Sequence, residues 1–219
     1  MTKTRKKEEK RRYQDACGMA HAMELLGERW AMLVLRELAY GPRRFSELKA
    51  DLPGISANVL TQRLAEMESR QLVRRTRLPP PASVQVYEAT DWGLEAIPTI
   101  AFLGRWAARS PSHDPTLPMG HVSVMMSLQT LISSALAEGI DARIGFQFGH
   151  TGYVATVHDG RLDVERLAPD NCDVIFNGAP NDLAAVIHGG APFDLIEVSG
   201  DLELAKRFVK LFPLPTKIG

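Results

Sequence analysis

Apolar residues recur at helical spacing through the first half of the chain, and the pattern is broken at a few sharp points. A helix from about Asp15 carries Met19, Ala22, Met23 and Leu26 on one side and ends at Gly27. A second, Glu28 to Tyr40, presents Trp30, Leu33, Val34 and Leu38, and Gly41-Pro42 stops it. Phe45 to Leu52 is a short third helix, followed by the break Pro53-Gly54-Ile55. Ser56 then stands as an N-cap to a helix reaching Ser69, with Ile55 and Leu60 spaced as a hydrophobic staple. The period next changes to that of strands: Leu72 to Arg77, a tip at Pro79-Pro80-Pro81, and a return strand Val84 to Tyr87. From Thr90 the chain is helical again to Arg109, with Leu94, Ile97, Ala101 and Gly104 along one stripe and Pro98 expected to kink or split it.

Past a linker at 111–119, rich in Pro and Ser, the pattern differs. Val122 to Glu138 reads as a helix ending at Gly139. Strands are expected at 143–148, 152–157, 161–167, 172–176 and 195–198, with a hairpin turn at His158-Asp159-Gly160. Helices are expected at 181–188 and 201–212. The fold class is therefore α+β, as a winged helix-turn-helix over 15–110 and a compact α+β domain over 120–219, preceded by a disordered basic arm at 1–14.

Charge sharpens this division. The net charge is zero, yet residues 1–110 carry 19 Lys and Arg against 13 Asp and Glu, and residues 111–219 carry 7 against 13. A basic half suits phosphates, and an acidic half is repelled by them. The N-terminus is charged with no apolar run behind it, no stretch approaches the roughly 20 apolar residues of a membrane span, and only Cys17 and Cys172 are cysteines. These features point to a cytoplasmic protein with no membrane partner.

The order helix, break, helix, basic ribbon is what places one helix in a DNA groove with a ribbon beside it. On the Ser56–Ser69 helix, Leu60, Leu64 and Met67 face the core, while Asn58, Thr61, Gln62 and Ala65 face away. Ser56, Asn58, Thr61 and Gln62 are the candidates for base readout, because Asn and Gln pair bidentately with adenine and Thr meets a thymine methyl. The same face also reads as a plain solvated helix surface. Arg43, Arg44, Arg63, Arg74, Arg75 and Arg77 are the candidates for phosphate contacts, with Arg63 placed to reach a phosphate or an internal partner. The histidines form no nucleophile–base pattern, and no phosphate loop or metal-ligand spacing is present, so neither catalysis nor a cofactor is expected.

Cys17 to Arg109 resembles the HxlR family of winged-helix transcription regulators. The resemblance is carried by Gly27-Glu28-Arg29-Trp30, Leu33, Leu38, Arg44-Phe45-Ser46-Glu47-Leu48, Gly54-Ile55-Ser56, Val59-Leu60-Thr61-Gln62-Arg63-Leu64, Val86-Tyr87 and Trp92-Gly93. It implies a homodimer reading a pseudo-palindromic duplex, with Met19, Met23, Leu94, Ile97, Ala101 and Gly104 as dimerisation candidates on the terminal helices. Leu94 and Ile97 read equally as intradomain core. The resemblance also puts Cys17 where members carry a redox-sensing cysteine, although Gly18 follows here where Pro is common.

Residues 120–215 are similar to sterol carrier protein type 2-like domains, on the order of their elements around Cys172 to Gly178 and Val198 to Glu203. That likeness implies an apolar cavity for a small-molecule ligand, lined by Phe146, Phe148, Val154, Phe176, Val186, Ile187, Phe208 and Phe212. The same residues serve as the core of any small domain. A second reading of the whole follows: an apolar small-molecule carrier whose winged helix makes protein contacts.

Overall fold

The computed structural model describes residues 13–219, and nearly all of the expected basic arm lies outside them. Contacts divide the chain between Ile97 and Pro98. The first unit holds α1 (Gly18–Leu26), α2 (Ala31–Glu37), α3 (Phe45–Asp51), α4 (Ala57–Ser69), β1 (Val73–Arg77), β2 (Gln85–Ala89) and α5 (Asp91–Glu95). Its core is Ala31, Val34, Leu35, Leu48, Leu60, Leu64, Met67 and Val86, all at most 1% exposed. The turn between α3 and α4 needs a positive φ, and Gly54 supplies it at +87° without a Cβ penalty. Ser56 Oγ then accepts a hydrogen bond from Val59 N at 3.2 Å, the N-cap expected from the sequence, worth about 1 kcal/mol. β1 and β2 pair antiparallel from Val73↔Ala89 to Arg77↔Gln85, forming the wing.

The helix expected from Thr90 to Arg109 is two helices. Thr90 caps α5, its Oγ1 accepting from Gly93 N at 3.0 Å, and α6 (Ile97–Ala107) begins one residue before Pro98. Pro98 has no N–H to donate and tolerates only the first turn of a helix, so the split falls beside it. The proline-rich stretch 111–119 was expected to hold the boundary, but the contacts change earlier. Arg105 Nη1 donates to Thr130 O at 2.9 Å and Arg109 Nε to Thr216 O at 3.1 Å, which joins α6 to the elements that follow it.

The second unit contains α7 (His121–Leu131), β3 (Ala142–Phe148), β4 (Thr151–His158), β5 (Arg161–Glu165), β6 (Val174–Asn177), α8 (Pro180–His188), β7 (Glu197–Gly200) and α9 (Leu202–Phe208). The strands form one sheet in the order β5-β4-β3-β6-β7, parallel only between β3 and β6. The β4–β5 turn runs through Asp159 and Gly160, both at positive φ, as a two-residue hairpin loop requires. α7 stops at Leu131, short of the expected Glu138. Ser133 N there donates to Leu211 O at 2.8 Å, so the backbone leaves the helical ladder for a distant partner.

Phe146, Phe176, Phe208 and Phe212 are each at most 2% exposed, and their rings pack on one another with centroids 4.9 to 5.9 Å apart in four pairs. On the opposite sheet face the chain after β5 comes so close that a Cβ on Gly152 would lie 2.5 Å from Leu167 O.

Candidate nucleic-acid interface

The α4 helix has two chemically different sides because its apolar residues fall three and four apart. Leu60, Leu64 and Met67 are buried, as expected. Ser56, Asn58, Thr61, Gln62 and Ala65 are exposed, so the uncharged polar face is uncovered among the described residues. Gln62 Nε2 rests on Glu66 Oε1 at 2.9 Å, an exposed contact between neighbouring turns. Val59 is half-buried beside that face.

The six candidate arginines separate into two groups. Arg44, Arg74, Arg75 and Arg77 are exposed. Arg74 pairs across the wing with Glu88 at 2.8 Å, which holds its guanidinium charge more firmly still. Arg75 reaches Glu68 at 3.3 Å and lies 5.9 Å from the Tyr87 ring centroid. Arg77 Nε donates to Ser83 O at 3.1 Å, at the wing tip. These pairs are surface pairs, weak enough to be exchanged for phosphates.

Arg43 and Arg63 differ. Their side chains are 4% and 7% exposed. Arg63 binds Glu66 at 2.6 Å and Glu28 at 3.7 Å, the internal partner rather than the phosphate of the two options the sequence left open. Arg43 is surrounded by Asp51, Glu47 and Glu37. The expectation that Arg43 and Arg63 contact a phosphate is corrected accordingly, since their guanidiniums are enclosed by carboxylates. For Arg63 the partner at i+3, Glu66, was within reach of the sequence; for Arg43 it was not, because Glu37 and Asp51 come from further along other elements.

The dimerisation candidates divide in a similar way. Met19 is 65% exposed and Met23 36%, and α1 as a whole buries nothing. Leu94 is exposed, Gly104 is exposed, and Ile97 and Ala101 are half-buried. The most exposed apolar side chains of α6 are Phe102 and Trp106, at 72% and 66%, and neither is among the dimerisation candidates named from the sequence. Their signal was available: two bulky aromatics four apart on a helix, on the side of α6 opposite Gly104.

Cys17 is exposed at the start of α1, where the Met19 and Ala20 backbone N–H groups pull its thiol below the ordinary value. Cys172 behaves in the opposite way, as burial pushes its thiol up.

Among the ligand-lining candidates, Phe146, Phe148, Phe176, Phe208 and Phe212 are buried against each other, while Val186 and Ile187 are half-buried. Val154 pairs with Gly145, and Phe146 pairs with Tyr153, so Val154 points to the other sheet face from Phe146. Its expected place is taken by Tyr153, fully buried, with Oη 2.7 Å from His121 Nδ1. Among the described residues no group of three His, Cys, Asp or Glu is arranged to hold a metal, and no helix is long and apolar enough to cross a membrane.

The family model for HxlR-like helix-turn-helix proteins matches residues 25–114. The HTH-type transcriptional regulator YvaP of Bacillus subtilis is 36% identical over 86 residues, 39% of this chain and 80% of its own. The HTH-type transcriptional regulator YodB of the same organism is 35% identical over 89 residues, 41% of this chain and 80% of its own. A solved structure, the reduced form of YodB from B. subtilis, covers 46% of this chain and 100% of that one at 31% identity, with a TM-score of 0.41.

Proposed function

The chain belongs to the HxlR-like helix-turn-helix family, and from that premise we propose that it is a DNA-binding transcriptional regulator that reads a pseudo-palindromic duplex as a homodimer. The observation that carries this is the bare α4 face, with Ser56, Asn58, Thr61 and Gln62 exposed beside a wing bearing Arg74, Arg75 and Arg77. Division of labour follows from the chemistry. The amides and hydroxyls match base edges, and the wing arginines and Arg44 supply affinity through phosphates. Two copies present two α4 helices, so half-sites lie about 34–36 Å apart. The exposed apolar sides of α1 and α6 are the surfaces assigned to self-association.

Titration against random duplexes over a range of salt tests the proposal. Affinity falls linearly on a log–log plot, with a slope of about −0.9 per phosphate neutralised. Salt-independent binding, or none, removes it.

A second reading concerns control. Cys17 is exposed and its thiolate is favoured by helix N-terminal amides, so a redox-responsive regulator is proposed alongside. Cys17 then alkylates with iodoacetamide faster at neutral pH than Cys172, whose thiol is pushed the other way. Equal rates remove that reading. The sterol-carrier-like assignment of the second unit rests on element order alone, and its aromatic rings are packed together. Native mass spectrometry of gently purified protein tests it, and only a co-purifying apolar molecule keeps ligand control in play.

A further inference from the structure

Arg43 sits where the helix-turn-helix meets the wing. Its backbone exchanges two hydrogen bonds with Tyr87 of β2, N to O at 2.8 Å in each direction. Its side chain turns inward instead. Nη2 binds the Asp51 carboxylate, Nε lies 3.4 Å from Glu47 Oε2, and Nη1 lies 3.9 Å from Glu37 Oε2. Asp51 and Glu47 belong to α3 and Glu37 to α2. Glu37 is itself 1% exposed and accepts from Arg36 Nη2 at 2.6 Å. One residue thus grips two helices by its guanidinium and one wing strand by its backbone.

The wing strand it holds matters for the arginines assigned to phosphates. Tyr87 is the register partner of Arg75, and its ring lies under the Arg75 guanidinium. Moving Tyr87 moves Arg75. We infer that Arg43 is a positioning residue, setting the angle of the wing against α3 so that Arg75 meets the duplex while Arg43 itself touches no phosphate. The inference rests on the DNA-binding reading for its consequence, but not for its geometry. A planar fork reaches several carboxylates at once, whereas a lysine ammonium is a single point charge. Arg43→Lys therefore keeps the charge and loses the grip.

Three measurements test this on the full chain. First, R43K weakens binding to selected and random duplexes alike, by roughly tenfold, as expected for a residue acting through a network. Second, R43Q leaves the salt slope of binding unchanged, whereas R75Q reduces it by about one. Third, amide exchange at Tyr87 speeds up in R43K, while that of Leu64 in the middle of α4 stays as in the wild type. D51N, which removes one carboxylate and keeps Arg43, gives the same exchange effect in weaker form and serves if the Arg43 variants do not fold. Wild-type affinity together with wild-type Tyr87 exchange in R43K overturns the inference. So does a salt slope that drops by one in R43Q, because Arg43 would then be a phosphate contact. If the wild type binds no duplex but R43K still loosens Tyr87, the DNA reading falls and the positioning role stands.

Discussion

Two apolar helices of similar length meet opposite fates in this chain. α7 buries Val122, Val124, Met125, Met126, Leu128 and Leu131. α6 buries none of its residues and leaves Phe102, Leu103 and Trp106 exposed. Both are 11 residues long, and both are apolar in sequence. The difference lies in what the described residues supply opposite them: α7 has the aromatic sheet to pack on, and α6 has no such layer among them. An apolar stripe predicts burial, and when the chain does not provide it, a second molecule is the natural source. This is the physical basis for assigning α6 to the proposed homodimer.

The largest effect is expected inside the sheet unit. Phe208, fully buried among Phe146, Phe176 and Phe212, should cost about 3–5 kcal/mol when replaced by Ala, read as a lower urea midpoint. A change under 1 kcal/mol would mean that the rings are not a packed core and would reopen the ligand cavity. On α6, replacing Phe102 and Trp106 by Ala should leave the unfolding of the sheet unit alone. It should weaken self-association by about 2 kcal/mol or more, read by sedimentation velocity across a dilution series. Unchanged association would show that these aromatics do not serve the dimer.

The smallest effect separates two histidines by pH. Burial pushes the His188 pKa down. Its contribution to stability is therefore complete above the unfolded value of about 6.5 and is lost as pH falls through the lower folded value. His158 is raised, chiefly by its hydrogen bond to Asp163. Its contribution is complete below about 6.5 and is lost as pH rises through the higher folded value. Urea midpoints of H188Q and H158Q measured from pH 5 to 8 should diverge from the wild type at opposite ends. Divergence at the same end would contradict these environments.

The α4 helix was the most legible element. Ser56 as cap, Leu60, Leu64 and Met67 inward and Asn58, Thr61 and Gln62 outward all follow from local spacing, which a sequence displays directly. What was not legible depended on distant partners. Arg43 looks like a surface cation until Glu37 and Asp51 are brought beside it. The early end of α7 depends on Leu211 O, nearly 80 residues further along. Val154 and Tyr153 exchanged places because one step of register reverses the face of a strand. The spacing of Phe102 and Trp106 was readable as one apolar face of a helix, but their exposure was not, because it depends on which described elements pack against α6.

DNA reading by this protein requires α4 to meet bases along its uncharged side, and one titration addresses that directly. A duplex selected from a random pool by the wild-type protein is titrated beside a scrambled duplex, using the wild type and the N58A/Q62A variant. The variant is expected to lose about 1–3 kcal/mol per bidentate contact on the selected duplex and nothing on the scrambled one. Equal losses on both duplexes, or none on either, would contradict it.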